Sequence, residues 1–181
     1  YTLTIASSRL RDSIMLFARE HGIDHLFSYV VGADSVTHHK PHPEPVLITL
    51  EALGVEADDA LVVGDMPLDV AMGRGAAVRT VAVTYGNATR EELEAAGADY
   101  VITQMFFDNR IYYDFVEKCR AAGITVPIIP GLKPISTFKQ ISVLPEAFSL
   151  DIPVELTQEM TKFRNDKDAV YQIGTEWCAQ Q

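Results

Sequence analysis

Basic residues are scarce in this sequence: 15 Lys and Arg stand against 25 Asp and Glu, a formal net charge of -10. Such a surface repels phosphate backbones and anionic headgroups, so neither nucleic acid nor a membrane is expected as a partner. Long apolar runs are missing as well. None approaches the roughly 18–20 residues that a membrane span needs. Cysteine is nearly absent, with Cys119 and Cys178 the two present. Sparse, distant thiols are expected to stay reduced, which suits a cytoplasmic protein. There is no basic leader and no initiator Met. Tyr1-Thr-Leu-Thr-Ile-Ala6 reads as a strand, so a fragment is expected.

What is present is an ordinary globular balance, 48% hydrophobic and 22% charged over 181 residues. That allows one large domain or two small ones. One pattern recurs: an amphipathic run ends at Gly, and a short β-rich run follows. The helix stops are Gly22, Gly54, Gly97 and Gly123, where glycine takes the left-handed conformation without a Cβ clash. The runs after them start near Phe27, Ala60, Asp99 and Val126 and are apolar and β-branched, as strands buried on both faces are. Thr2 to Ala6 and Arg79 to Thr84 add two more. The alternation predicts right-handed βαβ units and a parallel sheet of about six strands with flanking helices. Thr89-Arg-Glu-Glu92 is a capping box that starts a helix. Beyond about residue 131 prolines break the chain, with helices expected from Thr157 to Phe163 and from Asp168 to Gln180. No strand follows the last helix, so an incomplete βα unit is expected there.

Three segments carry chemistry. Leu3-Thr-Ile-Ala-Ser7-Ser8 ends a strand in hydroxyls, where a parallel sheet binds ligands. Ser7 and Ser8 offer hydroxyls and amides to a phosphoryl oxygen, or else simply cap a helix. His39-Lys40-Pro41-His42-Pro43 is a stiff loop that holds Lys40 as a point charge over a phosphate; the alternative is a solvated surface lysine. His38, His39 and His42 cluster there, but two adjacent histidines and a third after proline lack helical zinc-site spacing, so no metal is expected on them. Ala60-Leu-Val-Val-Gly64-Asp65-Met-Pro-Leu-Asp69 delivers two carboxylates at a strand end. Hard oxygens in that position suit Mg²⁺; helix capping by both aspartates is the alternative. Gly73-Arg-Gly75 falls inside the following helix, so its small residues serve packing.

In this order, these segments resemble the haloacid dehalogenase-like phosphatases of the phosphoglycolate phosphatase and β-phosphoglucomutase type, over residues 1–102. The resemblance implies that Ser7 and Ser8 bind phosphate, that Lys40 neutralises it, and that Asp65 and Asp69 hold Mg²⁺, weakly here. It also implies an upstream strand ending in Asp-x-Asp, which supplies the nucleophile, and a cap domain. Both are expected to be missing, and no Asp-x-Asp is expected to occur anywhere in the chain. From residue 97 to 181 the sequence resembles methylenetetrahydrofolate reductase, a flavin-dependent (βα)8 barrel. It does so through Gly97-Ala-Asp-Tyr-Val-Ile-Thr-Gln-Met-Phe-Phe-Asp108, Val126-Pro-Ile-Ile-Pro-Gly-Leu-Lys-Pro-Ile135 and Ile173-Gly-Thr-Glu-Trp-Cys-Ala. That implies a folate- or nicotinamide-facing Gln104, or a plain polar strand end. Much of the barrel is missing, so FAD is not expected.

Leu93 to Ile102 fits both families, which points to a chimera, a HAD-like Rossmann-type half (1–102) joined to a barrel fragment (103–181) in one compact unit. An engineered scaffold without complete catalytic machinery is the leading expectation; a natural fusion or an assembly artefact also fits. A phosphate monoester hydrolase and a flavin- or folate-binding fragment are the alternatives. The missing central strand is expected to be replaced, either by direct pairing of the strands before Ser7 and Asp65 or by a strand from elsewhere, including a second copy.

Overall fold

The computed structural model describes residues 1–84, Gly86 and 88–181, with the backbone alone for Arg90, Glu91 and Glu94. The chain divides into two compact units, Tyr1–Val101 and Ile102–Gln181, where the sequence reading expects one.

The first unit begins with β1 (Leu3–Ala6), α1 (Arg11–Glu20), β2 (Phe27–Val31) and α2 (Glu44–Leu53). It continues with β3 (Leu61–Gly64), α3 (Pro67–Gly75), β4 (Arg79–Val83) and α4 (Arg90–Ala95). β1 pairs in parallel with β2, and β3 in parallel with β4. The boundary between the units falls inside β5 (Tyr100–Met105). The second unit adds α5 (Asn109–Ala121), β6 (Ile128–Gly131), α6 (Gln140–Phe148), α7 (Val154–Lys162) and α8 (Lys167–Gln180). There β6 lies beside β5, and Gly131 N–H donates to Thr103 Oγ1 at 3.0 Å. The fold is α/β, with parallel strand pairs and flanking helices.

The punctuation acts as the sequence implies. Gly22, Gly54, Gly97 and Gly123 all have positive φ, between 63° and 84°. Thr89 N–H donates to Glu92 Oε2 at 2.8 Å, and Glu92 N–H donates to Thr89 Oγ1 at 3.3 Å. That reciprocal pair is the capping box of α4.

The central gap behaves otherwise. Among the described residues β1 pairs with β2 alone, and β3 is not its neighbour. Among the described residues neither direct pairing nor a replacement strand from the second segment occurs. The physical reason lies in the helical layer. Val46 of α2, Met72 of α3 and Ala76 at the end of that helix belong to one buried cluster, against which Ala6 of β1 and Val62 of β3 both pack. The two strands are seated on a common layer that sets their separation. Leu61 and Val63, alternate residues of β3, remain 52% and 58% exposed.

The second unit centres on Phe107, Ile135, Leu144, Leu156, Met160 and Val170. Gly174 lets α8 approach closely, because a Cβ there would overlap the Ile135 carbonyl.

Candidate functional site

The carboxyl ends of β1 and β3 bound a groove of about 130 Å³, lined among others by Thr4, Ala6, Lys40, Leu61, Val63 and Asp69. Ser7 N–H donates to Val31 O at 3.0 Å, so the backbone at Ser7 faces β2. By the alternation of a strand, Thr4 and Ala6 turn their backbone groups the other way, into the groove. Lys40 meets them there. Its Nζ donates to Ala6 O at 2.9 Å and to Asp69 Oδ1 at 2.6 Å. The two charged side chains are 15% and 11% exposed, so this is a largely buried ion pair. Lys40 is therefore not a solvated surface lysine.

Asp69 has a second duty. Its Oδ2 accepts the Met66 N–H at 3.2 Å, the N3 half of a helix cap. Of the two sequence readings of this residue, the geometry displays the helix cap. Gly64 is required for the approach, since a Cβ there would overlap the Asp69 side chain. Asp65 stands at the end of β3 beside Gly86, where an added Cβ would overlap its carboxylate. Ser7 Oγ accepts the Arg9 N–H at 3.2 Å. That is a local turn bond and not the cap of α1, which starts at Arg11. Ser8 is exposed.

Asp65 and Asp69 supply two hard oxygen donors, which fit Mg²⁺ in part. The misfit is the Lys40 ammonium on Asp69 Oδ1. A divalent ion at that oxygen would have to displace or lie against a like charge.

The chain does contain one Asp-x-Asp, Asp166-Lys167-Asp168, which corrects the expectation that the pattern is absent. It does not end a strand. Asp166 is the N-cap of α8, accepting from Asp168 N–H and Ala169 N–H at 3.2 and 3.1 Å. It lies in the second unit.

In the second unit Gln104 folds onto its own strand, where Oε1 accepts the Met105 N–H at 2.8 Å. A cavity of about 360 Å³ lies beyond the end of β5, lined by Phe107, Asp108, Arg110, Glu155, Trp177 and others, without Gln104. Trp177 Nε1 donates to Phe107 O at 2.9 Å and fixes its inner wall. Asp108 and Arg110 form an ion pair at 2.6 Å on its rim. The sequence reading missed this cavity, because Trp177 and Phe107 are 70 residues apart.

Residues 1–83 match the family model of haloacid dehalogenase-like hydrolases, and residues 78–181 match that of methylenetetrahydrofolate reductase. The chain belongs to the methylenetetrahydrofolate reductase family. Its first half carries the hydrolase segment, so the whole is a chimera of two families, the matches overlapping on β4.

Methylenetetrahydrofolate reductase (NADH) 1 of Zea mays is 39% identical over 87 residues, 46% of this chain and 15% of that protein. Pyrophosphatase PpaX of Bacillus mycoides is 36% identical over 105 residues, 58% of this chain and 49% of that protein. A haloacid dehalogenase-like hydrolase from Bacteroides fragilis, solved by crystallography, superposes with a TM-score of 0.51 at 31% identity. It covers 55% of this chain and 47% of that one. The chain thus spans about half the length of its hydrolase relatives and about one seventh of the reductase. Mg²⁺ is the metal of the first family and FAD the cofactor of the second. Among the described residues no helix is long and apolar enough to cross a membrane.

Proposed function

We propose that this chain is a hybrid α/β scaffold, assembled by design, that keeps the anion-facing half of a phosphate-ester site and turns over no substrate. One observation carries the reading. Lys40, the cation of the site, is committed to Asp69 and to the Ala6 carbonyl across an open groove between β1 and β3. Covalent phosphoryl transfer needs a carboxylate in line with the leaving oxygen. Asp65 and Asp69 follow β3, and Asp69 is already neutralised and tied into a helix cap. The remaining capacity is weak binding of Mg²⁺ or of a small phosphate anion near Ser7, Ser8 and Lys40.

The groove is suited to strand completion by a second copy, with the exposed Leu61 and Val63 as its apolar wall. A reducing cytoplasm suits Cys119 and Cys178, which remain thiols. The acidic surface disfavours nucleic acid and membranes.

The test is hydrolysis of a generic phosphate ester with and without Mg²⁺. The expected rate is that of Asp65→Asn, at background. Mg²⁺-dependent turnover that disappears in Asp65→Asn would instead establish a phosphatase.

The 360 Å³ cavity beside Trp177 supports a second reading, a fragment that binds a small aromatic ligand. It lies at the small end of the roughly 300–1,000 Å³ usual for ligand sites, which disfavours FAD. Titration with folic acid, followed by quenching of the single Trp177, checks it. Fluorescence that stays constant rules the reading out.

A further inference from the structure

A second group of side chains, outside the phosphate-facing cluster, has the chemistry of a metal site. His38, His42 and Glu44 each offer a ligand atom within 4.8 Å of the other two. His38 Nδ1 and Glu44 Oε2 are 2.7 Å apart. The His38 and His42 rings stack with centroids 4.5 Å apart, and His42 Nδ1 accepts the Glu44 N–H at 3.2 Å. Glu44 is held in place from behind: its carboxylate accepts the Thr37 and His38 N–H groups at 2.7 and 2.9 Å. Lys40, the cation between the two histidines in sequence, is committed to Ala6 and Asp69. The sequence reading set these histidines aside for want of helical spacing. The loop brings His38 and His42 together without a helix, and it left Glu44 unconsidered.

We propose that His38, His42 and Glu44 form a surface Zn²⁺ site, with one nitrogen from each imidazole, one carboxylate oxygen, and solvent in the open position. Two imidazoles and a carboxylate select Zn²⁺ and other late divalent metals over Mg²⁺. Metal bonds of about 2.0–2.2 Å require the His38 nitrogen and the Glu44 oxygen to part to roughly 3.3 Å. Rotation of exposed rings can supply that; the His38 side chain is 61% exposed. Three metal–ligand bonds form; where His38 binds through Nδ1, the N–H proton of its neutral ring moves to Nε2 by exchange with solvent, and the ring stays neutral. The ion would close the loop that presents Lys40 onto the first turn of α2.

The test is calorimetric titration of the full chain with Zn²⁺ in a non-coordinating buffer, alongside histidine ring NMR. One equivalent is expected to bind. His38→Ala and His42→Ala should each weaken it by at least the ~10–100-fold seen for loss of outer-shell partners elsewhere, and His39→Ala should leave it unchanged. In the unaltered chain the His38 and His42 ring signals should shift on titration and those of His21 and His25 should not, which guards against variants that misfold. Equal binding by all three variants, loss of binding only in Cys178→Ser, or unmoved His38 and His42 signals would each overturn the site.

Discussion

Lys40 concentrates the physical argument at the scale of single residues. Among the described residues, removing it leaves Asp69 as a nearly buried carboxylate with the Met66 N–H alone for support. Lys40→Met is expected to lower stability by about 2–3 kcal/mol, the range for a buried pair broken on one side after allowance for residual hydration. Urea unfolding measures it. Lys40→Met with Asp69→Leu should recover part of that loss, because no unpaired charge remains. Equal losses in the single and double variants would show that the pair does not matter.

Glu44 sets a pH dependence. Its folded pKa of about 2 lies below the usual carboxylate value, so its contribution to loop order is complete above about pH 4.5. That contribution is lost as pH falls from about 4.5 toward 2. The Thr37 and His38 amide signals are expected to lose protection in that window, as followed by NMR; invariance would refute it. Lys40 and Asp69 were legible in the sequence because strand ends and proline-stiffened loops have restricted places to go. Their partner, the Ala6 carbonyl, was not, since backbone acceptors carry no residue signature. Glu44 escaped notice because a first-turn carboxylate is ordinary, and only the fold of the loop brings it to His38.

Among elements, helix ends were the most legible feature. Left-handed glycines and a capping box are local devices whose geometry follows from a few neighbouring residues. The relation of β1 to β3 was not legible, because it depends on the α2 and α3 side chains that support both. An open groove makes a definite prediction about its wall. Leu61→Thr and Val63→Thr should change stability by no more than ~0.5 kcal/mol, as exposed substitutions do, in dilute solution by chemical denaturation. A loss of several kcal/mol would mean that a strand covers them. Light scattering across a concentration series is expected to show self-association that Leu61→Thr weakens; a monomer at every concentration would remove the second copy as occupant. In the second unit Gly174→Ala should cost about 2–4 kcal/mol, because the new Cβ overlaps the Ile135 carbonyl. A neutral effect would show that α8 can withdraw.

For the molecule as a whole, two families meet where both use a helix, a glycine stop and a buried strand. The family matches overlap on residues 78–83, while the compact units divide at Val101. Homology and packing therefore change over at different places, as expected if β4 and the α4–β5 segment satisfy either fold. The sequence carried both family signatures because each is a run of ordered motifs. Asp166-Lys167-Asp168 was overlooked in the sequence reading, and its role as a helix cap is set by the flanking structure. The central claim is that phosphate can be faced here but not attacked. Intact-mass spectrometry after incubation with acetyl phosphate and Mg²⁺ tests it most directly. The unmodified mass is the result the account requires, and an acid-stable, base-labile phosphoryl adduct on a carboxylate would contradict it.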